Sequence, residues 1–387
     1  MKKITRLTPA GQNFGILYFT SNSLTNDDKT IFLIGREHGV RNLYCMNTDG
    51  TYLKQITDIP KDQNIKESFN PPVMLDCGID NIYAEPALDT KGGNIFYYRQ
   101  RQIVRADRNG NNTVLAELPI GNIVSVMHVS ESGKKLLLAT TDARAFLYDN
   151  TDSYNLTVDD TVQSMGLSAV LRVFDTRTGE QILKERVPRA WITHVQFNPA
   201  NDDLIMYNHE WPHDCGVRRM WMFDGENHVM VRTEGEGRSR KDWTCHEMWS
   251  RDGSELVYHG TYDGGRSYLG CARINDPEDI LPIRLTEIPF PEEYVSYGHF
   301  TMGNGHDVFT DGYFRLLGDP EDKSKYICRL KIDWDAGKID WQPLCEHNST
   351  WATQDSHPHP ILNHKGDRLY FNSDFEGFRA VYYVDVD

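Results

Sequence analysis

One phrase occurs seven times along the 387-residue chain: a turn rich in Asp, Asn, Gly and Lys, followed by a short β-branched or aromatic run. The copies are TNDDKTIFLI (25–34), DTKGGNIFYY (89–98), SESGKKLLLAT (130–140), NPANDDLIMYN (198–208), SRDGSELVYHG (250–260), GNGHDVFTDG (303–312) and NHKGDRLYFNS (363–373). Asx-type turns between such runs are hairpin signals. Partner strands follow in NLYCMNTDG, QIVRADRNG, LRVFDTRTGE, RMWMFDGEN, YICRLKIDWDAGK and AVYYVDVD, and TDGTYLKQIT and TGEQILKER read as the next hairpins out. Long helical periodicity is nearly absent. The copies recur on average at roughly fifty to sixty residues, somewhat longer than the shorter propeller repeats. The fold class is therefore all-β, a seven-bladed β-propeller of four-stranded antiparallel blades, in which radial repetition protects the sheet edges. A pair of β-sandwiches is the competing architecture and explains the repeat less well. Residues 1–387 read as one propeller domain, with ITRLT near the start placed to complete the blade that ends in AVYYVDVD.

The balance of charge narrows the partners. A formal net charge of -15 repels nucleic acid phosphate and anionic lipid over most of the surface. No run approaches the length of a membrane span. The opening MKKITRLTPAGQNFG has no apolar run behind its lysines, and the seven cysteines are scattered and never spaced CxxC. Both features suit a reducing compartment, and the expected location is the cytoplasm.

In a propeller, side chains at the start of each inner strand converge on the channel mouth. Chemically rich residues gather at those positions: His194 in WITH, His209, His213, Arg218 and Arg219 in NHEWPHDCGVRRMW, His246 in TCHEMW, His299 in YGHF, and Gln354, His357 and His359 in TQDSHPHP. In an extended backbone restrained by Pro358 and Pro360, His357 and His359 project to one side, and Gln354 returns to it through a turn. With His299 from the neighbouring blade they compose an N3O donor set suited to Mn, Zn, Ni or Fe. An HxH pair alone is more often a rigid turn whose imidazoles bond backbone carbonyls. His246 reads either as a strand-end residue or as a general base. Arg219 is either a salt-bridge partner or a planar fork for a carboxylate. Cys215 and Cys245 read as packing residues. Asp374 and Glu376 in SDFEG read as turn and blade-closing residues, with a paired-carboxylate glycosidase as the alternative.

The order and spacing of HEWPHDCGVRRMW, CHEMWSRDGSELVY, the GHF segment, QDSHPHP and FNSDFEG resemble the oligogalacturonate lyases, β-propeller pectin-degrading lyases of the cytoplasm. The similarity runs from about Arg189 to the C-terminus and is weaker before it. It implies that His299, Gln354, His357 and His359 hold a divalent metal, usually manganese, that His246 is the base, and that Arg219 lies beside the substrate. It further implies that His194, His209 and His213 line the site; Arg218 adds positive charge at the same mouth. The implied reaction is β-elimination on short 4-linked oligogalacturonides, with di- or trigalacturonate as the small anionic partner. Two departures stand out: QNFGILYFTSNSL lacks the polar groups the family carries there, and Gly298 precedes His299 where the family usually has serine. Alternatives are a lyase acting on another oligouronide, a non-catalytic TolB-like propeller binding a protein, and a metal-assisted hydrolase.

Overall fold

The computed structural model describes residues 1–37, 40–58, 85–146, 156–210, 219–232, 242–262, 265–290, 294–316 and 325–386. Each repeated phrase becomes the turn and second strand of an antiparallel blade. The first blade runs Asn13–Ile16, Thr30–Glu37, Val40–Asn47, Lys54–Gln55, and the second Ala87–Asp89, Asn94–Arg99, Gln102–Asp107, Asn112–Glu117. The third is Asn122–Val129, Lys135–Asp142, Ser168–Asp175, Gln181–Pro188. The fourth follows as Val195–Phe197, Ile205–Asn208, Met220–Phe223, His228–Met230, and the fifth as Trp243–Trp249, Glu255–Thr261, Ser267–Arg273, Arg284–Pro289. The sixth is Phe300–Met302, Asp307–Thr310, Tyr326–Asp333, Lys338–Glu346, with a small extra hairpin of Tyr294–Tyr297 and Tyr313–Leu316. In the seventh, Ile361–Leu362, Arg368–Ser373 and Ala380–Asp385 are joined by Thr5–Arg6, with Thr5 opposite Tyr383. The fold is thus a seven-bladed β-propeller, and its first and last segments share a blade.

The turn chemistry explains why the phrase recurs. Asp89 Oδ1 accepts the backbone N–H of Lys91 and Gly92, Asp175 Oδ1 those of Arg177 and Thr178, and Asn198 Oδ1 those of Ala200 and Asn201. These bonds close each hairpin locally. What holds the ring together is apolar. Each pair of neighbouring blades encloses its own layer, such as Leu137, Ala139 and Leu171 of the third blade against Phe197, Ile205 and Tyr207 of the fourth. The last layer, Tyr370 and Val381 against Phe14, Ile31 and Leu33, closes the circle. Burying each large side chain is worth about 1.5–3 kcal/mol, so a missing blade would expose two layers. One α-helix, Leu156–Met165, interrupts the third blade.

The seven short inner strands surround an axial channel. Tyr18 and Phe19, just after the first inner strand, lie across it. On one side their rings meet a group of histidines. On the other, Phe19 borders a cavity of ≈ 280 Å³ walled by residues of all seven blades, from Ser21 to Leu362. No helix among the described residues is long and apolar enough to cross a membrane.

Candidate active site at the channel mouth

His299 stands directly before the sixth inner strand and His359 two residues before the seventh. Their Nε2 atoms are 3.2 Å apart. His357 joins them, and one ring nitrogen from each of the three lies within 4.8 Å of the others. Two imidazole nitrogens bound to one ion at about 2.0–2.2 Å are separated by roughly 3.0–3.5 Å. The 3.2 Å spacing falls within that range. Nδ1 of His357 is buried with no hydrogen-bond partner among the described residues. Three imidazoles, one with an orphaned nitrogen, fit a divalent transition metal. Burial, reinforced by the neighbouring rings, holds His299 and His359 well below the ordinary histidine pKa, so both rings are neutral near pH 7, the form in which an imidazole can bind a metal.

The turn expected at Gln354 is a 3₁₀ turn over Gln354–Ser356, but the backbone beyond it is not the extended strand expected from the prolines: His359 has φ +47°. Its N–H then points to Asp311 Oδ2 at 2.9 Å, which stabilises this uncommon conformation. Asp311 also accepts the N–H of His299 at 2.6 Å and faces His299 Nδ1 at 3.3 Å. A carboxylate there keeps the proton on Nδ1 and turns the Nε2 lone pair toward the cluster. One fully buried side chain thereby clamps the two histidine segments together. Burial, opposed by the two backbone donors, raises the Asp311 carboxyl to about 6.

Gly298 owes its identity to the same clamp. At φ +147°, a Cβ here would lie 2.1 Å from Gly312 Cα and 2.4 Å from Gly312 N. A serine cannot occupy this backbone without displacing the turn that carries Asp311.

His246 sits in a bulge of the fifth inner strand, between Cys245 and Met248, with φ +51°. The bulge brings its ring to 4.3 Å from that of His299, centroid to centroid. Its Nδ1 is 2.9 Å from Nε2 of His259. Burial and then the neighbouring imidazoles hold His246 well below the ordinary value, so it is neutral near pH 7.

Arg219 is 3% exposed, and its Nε donates to Glu247 Oε1 at 2.5 Å. Its Nη1 is 3.3 Å from Glu210 Oε2 but makes no aligned hydrogen bond among the described residues. Burial raises the Glu247 carboxyl, yet Arg219 and His194 outweigh it and bring the group down to about 2. His194 Nδ1 is 3.3 Å from Glu247 Oε2, and its Nε2 is 3.0 Å from the Tyr18 hydroxyl. His194, Arg219 and His246 therefore share one buried region. His209 is buried, and its backbone N–H donates to the Arg219 carbonyl at 2.8 Å, but its ring contacts among the described residues are Tyr207 and Trp221. His213 and Arg218 lie outside the described residues, as does the side chain of Gln354. Cys245 is a buried thiol pushed up to about 12, as expected for a packing residue.

The mouth carries further positive charge in spite of the acidic surface. Asp355 is raised by burial, but Arg379, Arg41 and Arg36 overcome this and leave it below its usual range. Arg379 reaches Asp355 at 2.9 Å, and Arg41 reaches Glu85 at 3.2 Å.

Sequence reasoning did not single out Asp311, His259, Glu210 or Tyr18. Asp311 is hidden in a TDG that reads as an ordinary turn, and His259 in a VYHG strand end. Glu247 was visible only as the neighbour of His246.

A propeller whose channel mouth gathers imidazoles in a metal-binding array, beside a buried arginine and a neutral histidine, belongs to the class of metal-site propeller enzymes. The comparisons with known proteins narrow this class. Residues 153–387 match the family model described as oligogalacturonate lyase. The chain belongs to the oligogalacturonate lyase family, and it is a lyase of pectin-derived oligosaccharides. It is 26% identical over 401 residues to the oligogalacturonate lyase of Dickeya dadantii (strain 3937), covering 99% of this chain and 93% of that one. It is 30% identical over 225 residues to the oligogalacturonide lyase of Pectobacterium atrosepticum, covering 54% and 53%. Among solved structures, an oligogalacturonate lyase in complex with manganese superposes with TM-score 0.76 at 22% identity, covering 100% of this chain and 93% of that one. The Vibrio parahaemolyticus oligogalacturonate lyase gives TM-score 0.77 at 23% identity, covering 100% and 94%.

Proposed function

We propose that this protein cleaves short 4-linked oligogalacturonides, down to di- and trigalacturonate, by metal-dependent β-elimination. The observation that carries this reading is the convergence of His299, His357 and His359 within 4.8 Å, with the His246 ring 4.3 Å from His299. His299, His357 and His359, with Gln354, would hold the metal, and the manganese complex of a structural relative supports manganese as the first candidate.

The C5 proton of a uronate is weakly acidic because the adjacent carboxylate is already negative. A bound divalent cation supplies positive charge where negative charge grows on that carboxylate. Arg219 acts through a directed donor rather than net charge, since its two glutamate partners formally outweigh its single positive charge: the Nη1 without an aligned acceptor is available to a substrate oxygen. Neutral His246 takes the C5 proton, a step worth on the order of a hundredfold to ten-thousandfold. The C5 electron pair forms the C4–C5 double bond as the C4–O4 bond breaks, and the departing O4, which keeps the bonding pair, takes up a proton, so that the proton removed from C5 is balanced by the one gained at O4. Water is not consumed. His194, tied to Glu247 and Tyr18, lines the site, with His213 and Arg218 as its further polar contributors. Arg36, Arg41 and Arg379 at the mouth favour an anionic sugar by local field despite the net charge. The five described cysteines are unpaired and buried, which supports a reducing compartment such as the cytoplasm.

The test is incubation of the protein with manganese and saturated digalacturonate. The expected products carry new ultraviolet absorbance and keto-acid reactivity; a hydrolase would give neither. His246→Ala is expected to lose turnover yet retain metal, whereas His357→Ala loses metal. Full turnover by the first variant removes His246 as the base. Turnover of another uronide in preference to galacturonate would move the substrate assignment but not the chemistry.

A further inference from the structure

His259 has no role in the scheme above, yet its ring is placed between the two functional halves of the site. It lies on Glu255–Thr261, opposite Cys245 in the ladder, and is 2% exposed. Its Nε2 is 2.9 Å from His246 Nδ1 and 3.1 Å from the carbonyl oxygen of Gly298, the residue preceding His299. Its Nδ1 has no partner among the described residues.

A carbonyl oxygen can only accept, so the Gly298 contact is a hydrogen bond only when His259 carries its proton on Nε2. That proton also faces His246 Nδ1, which must then present its lone pair. A neutral His246 consequently keeps its own proton on Nε2. The opposite arrangement, with His246 Nδ1–H donating to His259 Nε2, sets two lone pairs against each other at the Gly298 carbonyl. It also leaves a buried N–H at His259 Nδ1 without an acceptor among the described residues. An unsatisfied buried donor is the costlier defect.

We propose that His259 is a positioning residue that sets the tautomer of the His246 ring, and that without substrate it keeps the proton on His246 Nε2. This inference rests on the reading of His246 as the base. A ring protonated on Nε2 cannot accept the C5 proton at that nitrogen. The base becomes competent when the Gly298 carbonyl releases His259. The net change is then one proton leaving His246 Nε2 and one arriving at His259 Nδ1, exchanged through water with no change in charge. Once His246 has taken the C5 proton, its Nδ1–H donates to the lone pair on His259 Nε2, which steadies the imidazolium.

The experiment compares His259→Gln and His259→Phe with the unaltered protein. The terminal amide of glutamine can donate to Gly298 and accept from His246 at once, whereas phenylalanine can do neither. Nitrogen-15 NMR of the histidine rings at pH 7.5 is expected to report His246 as Nε2–H in the unaltered protein and as Nδ1–H in His259→Gln. With manganese and digalacturonate, His259→Gln is expected to keep kcat at least at the original level. His259→Phe is expected to lose at least about tenfold in kcat with KM within about twofold. Melting temperature and manganese retention check that both variants fold. An Nδ1–H signal for His246 in the unaltered protein overturns the proposal, as does equal impairment of the two variants. If His246→Ala is inactive while both His259 variants turn over normally, the inference fails and the base assignment stands. If His246→Ala is active, the base assignment fails, and the nitrogen spectra still decide what His259 does.

Discussion

Asp311→Asn is the sharpest test of how the two histidine segments are held. Three donors converge on this buried carboxylate: the His299 N–H at 2.6 Å, the His359 N–H at 2.9 Å and His299 Nδ1 at 3.3 Å. Asparagine has the same shape but one accepting oxygen fewer. If its NH2 replaces Oδ2, it confronts His359 N–H and His299 Nδ1; if it replaces Oδ1, it confronts His299 N–H. Either way at least one buried donor is stranded, and each stranded donor costs about 1–3 kcal/mol. The expected loss of stability is therefore about 2–5 kcal/mol, since the pairing that offsets the left-handed backbone of His359 is also weakened. The same change removes the acceptor that keeps the His299 proton on Nδ1, and loss of such an outer partner lowers metal affinity about 10–100-fold. Thermal unfolding of the metal-free protein measures the first effect and calorimetric titration with manganese the second. Unchanged melting together with affinity within about threefold of the original would refute the clamp. A lowered melting temperature with unchanged affinity would leave Asp311 a packing role and remove its influence on His299.

Two further outcomes follow from the same geometry. Gly298→Ser introduces the residue the family usually carries here, yet its Cβ would lie 2.1 Å from Gly312 Cα, and the expected cost is about 3 kcal/mol or more; a variant with the original melting temperature contradicts the close approach. In chelator, stability is expected to fall as pH drops from 7.5 to 5. The reason is that burial lowers His128 and His259 to about 4, and lowers His246, His299 and His359 as well. Groups with a folded pKa below the unfolded value near 6.5 contribute stability above 6.5 and lose about 1.4 kcal/mol each per pH unit below it. Asp311, raised to about 6, acts in the opposite direction but is one group against several. A flat melting profile across this range would refute the burial of those rings.

The blades were legible from local pattern, because hairpins depend on contacts between residues close in sequence. Asx turns such as Asp89 and Asn198 close them, and alternating runs give each blade two apolar faces. The same pattern located His194, His246, His299 and His359 at or beside the starts of inner strands. Their identity as candidates was therefore available before any coordinates. Their arrangement was not. The turn expected at Gln354 is present, but the extended backbone expected at His357–His359 is broken by a left-handed His359, whose N–H is captured by Asp311, 48 residues away in sequence. The bulge at His246, the glutamates around Arg219, and His259 against Gly298 arise from contacts between blades or between strands of one blade. Closure of the ring decides which residues meet across the channel. Short-range turn chemistry determined the repeating unit, and only the packing of seven such units around one axis determined which histidines, arginine and carboxylates meet.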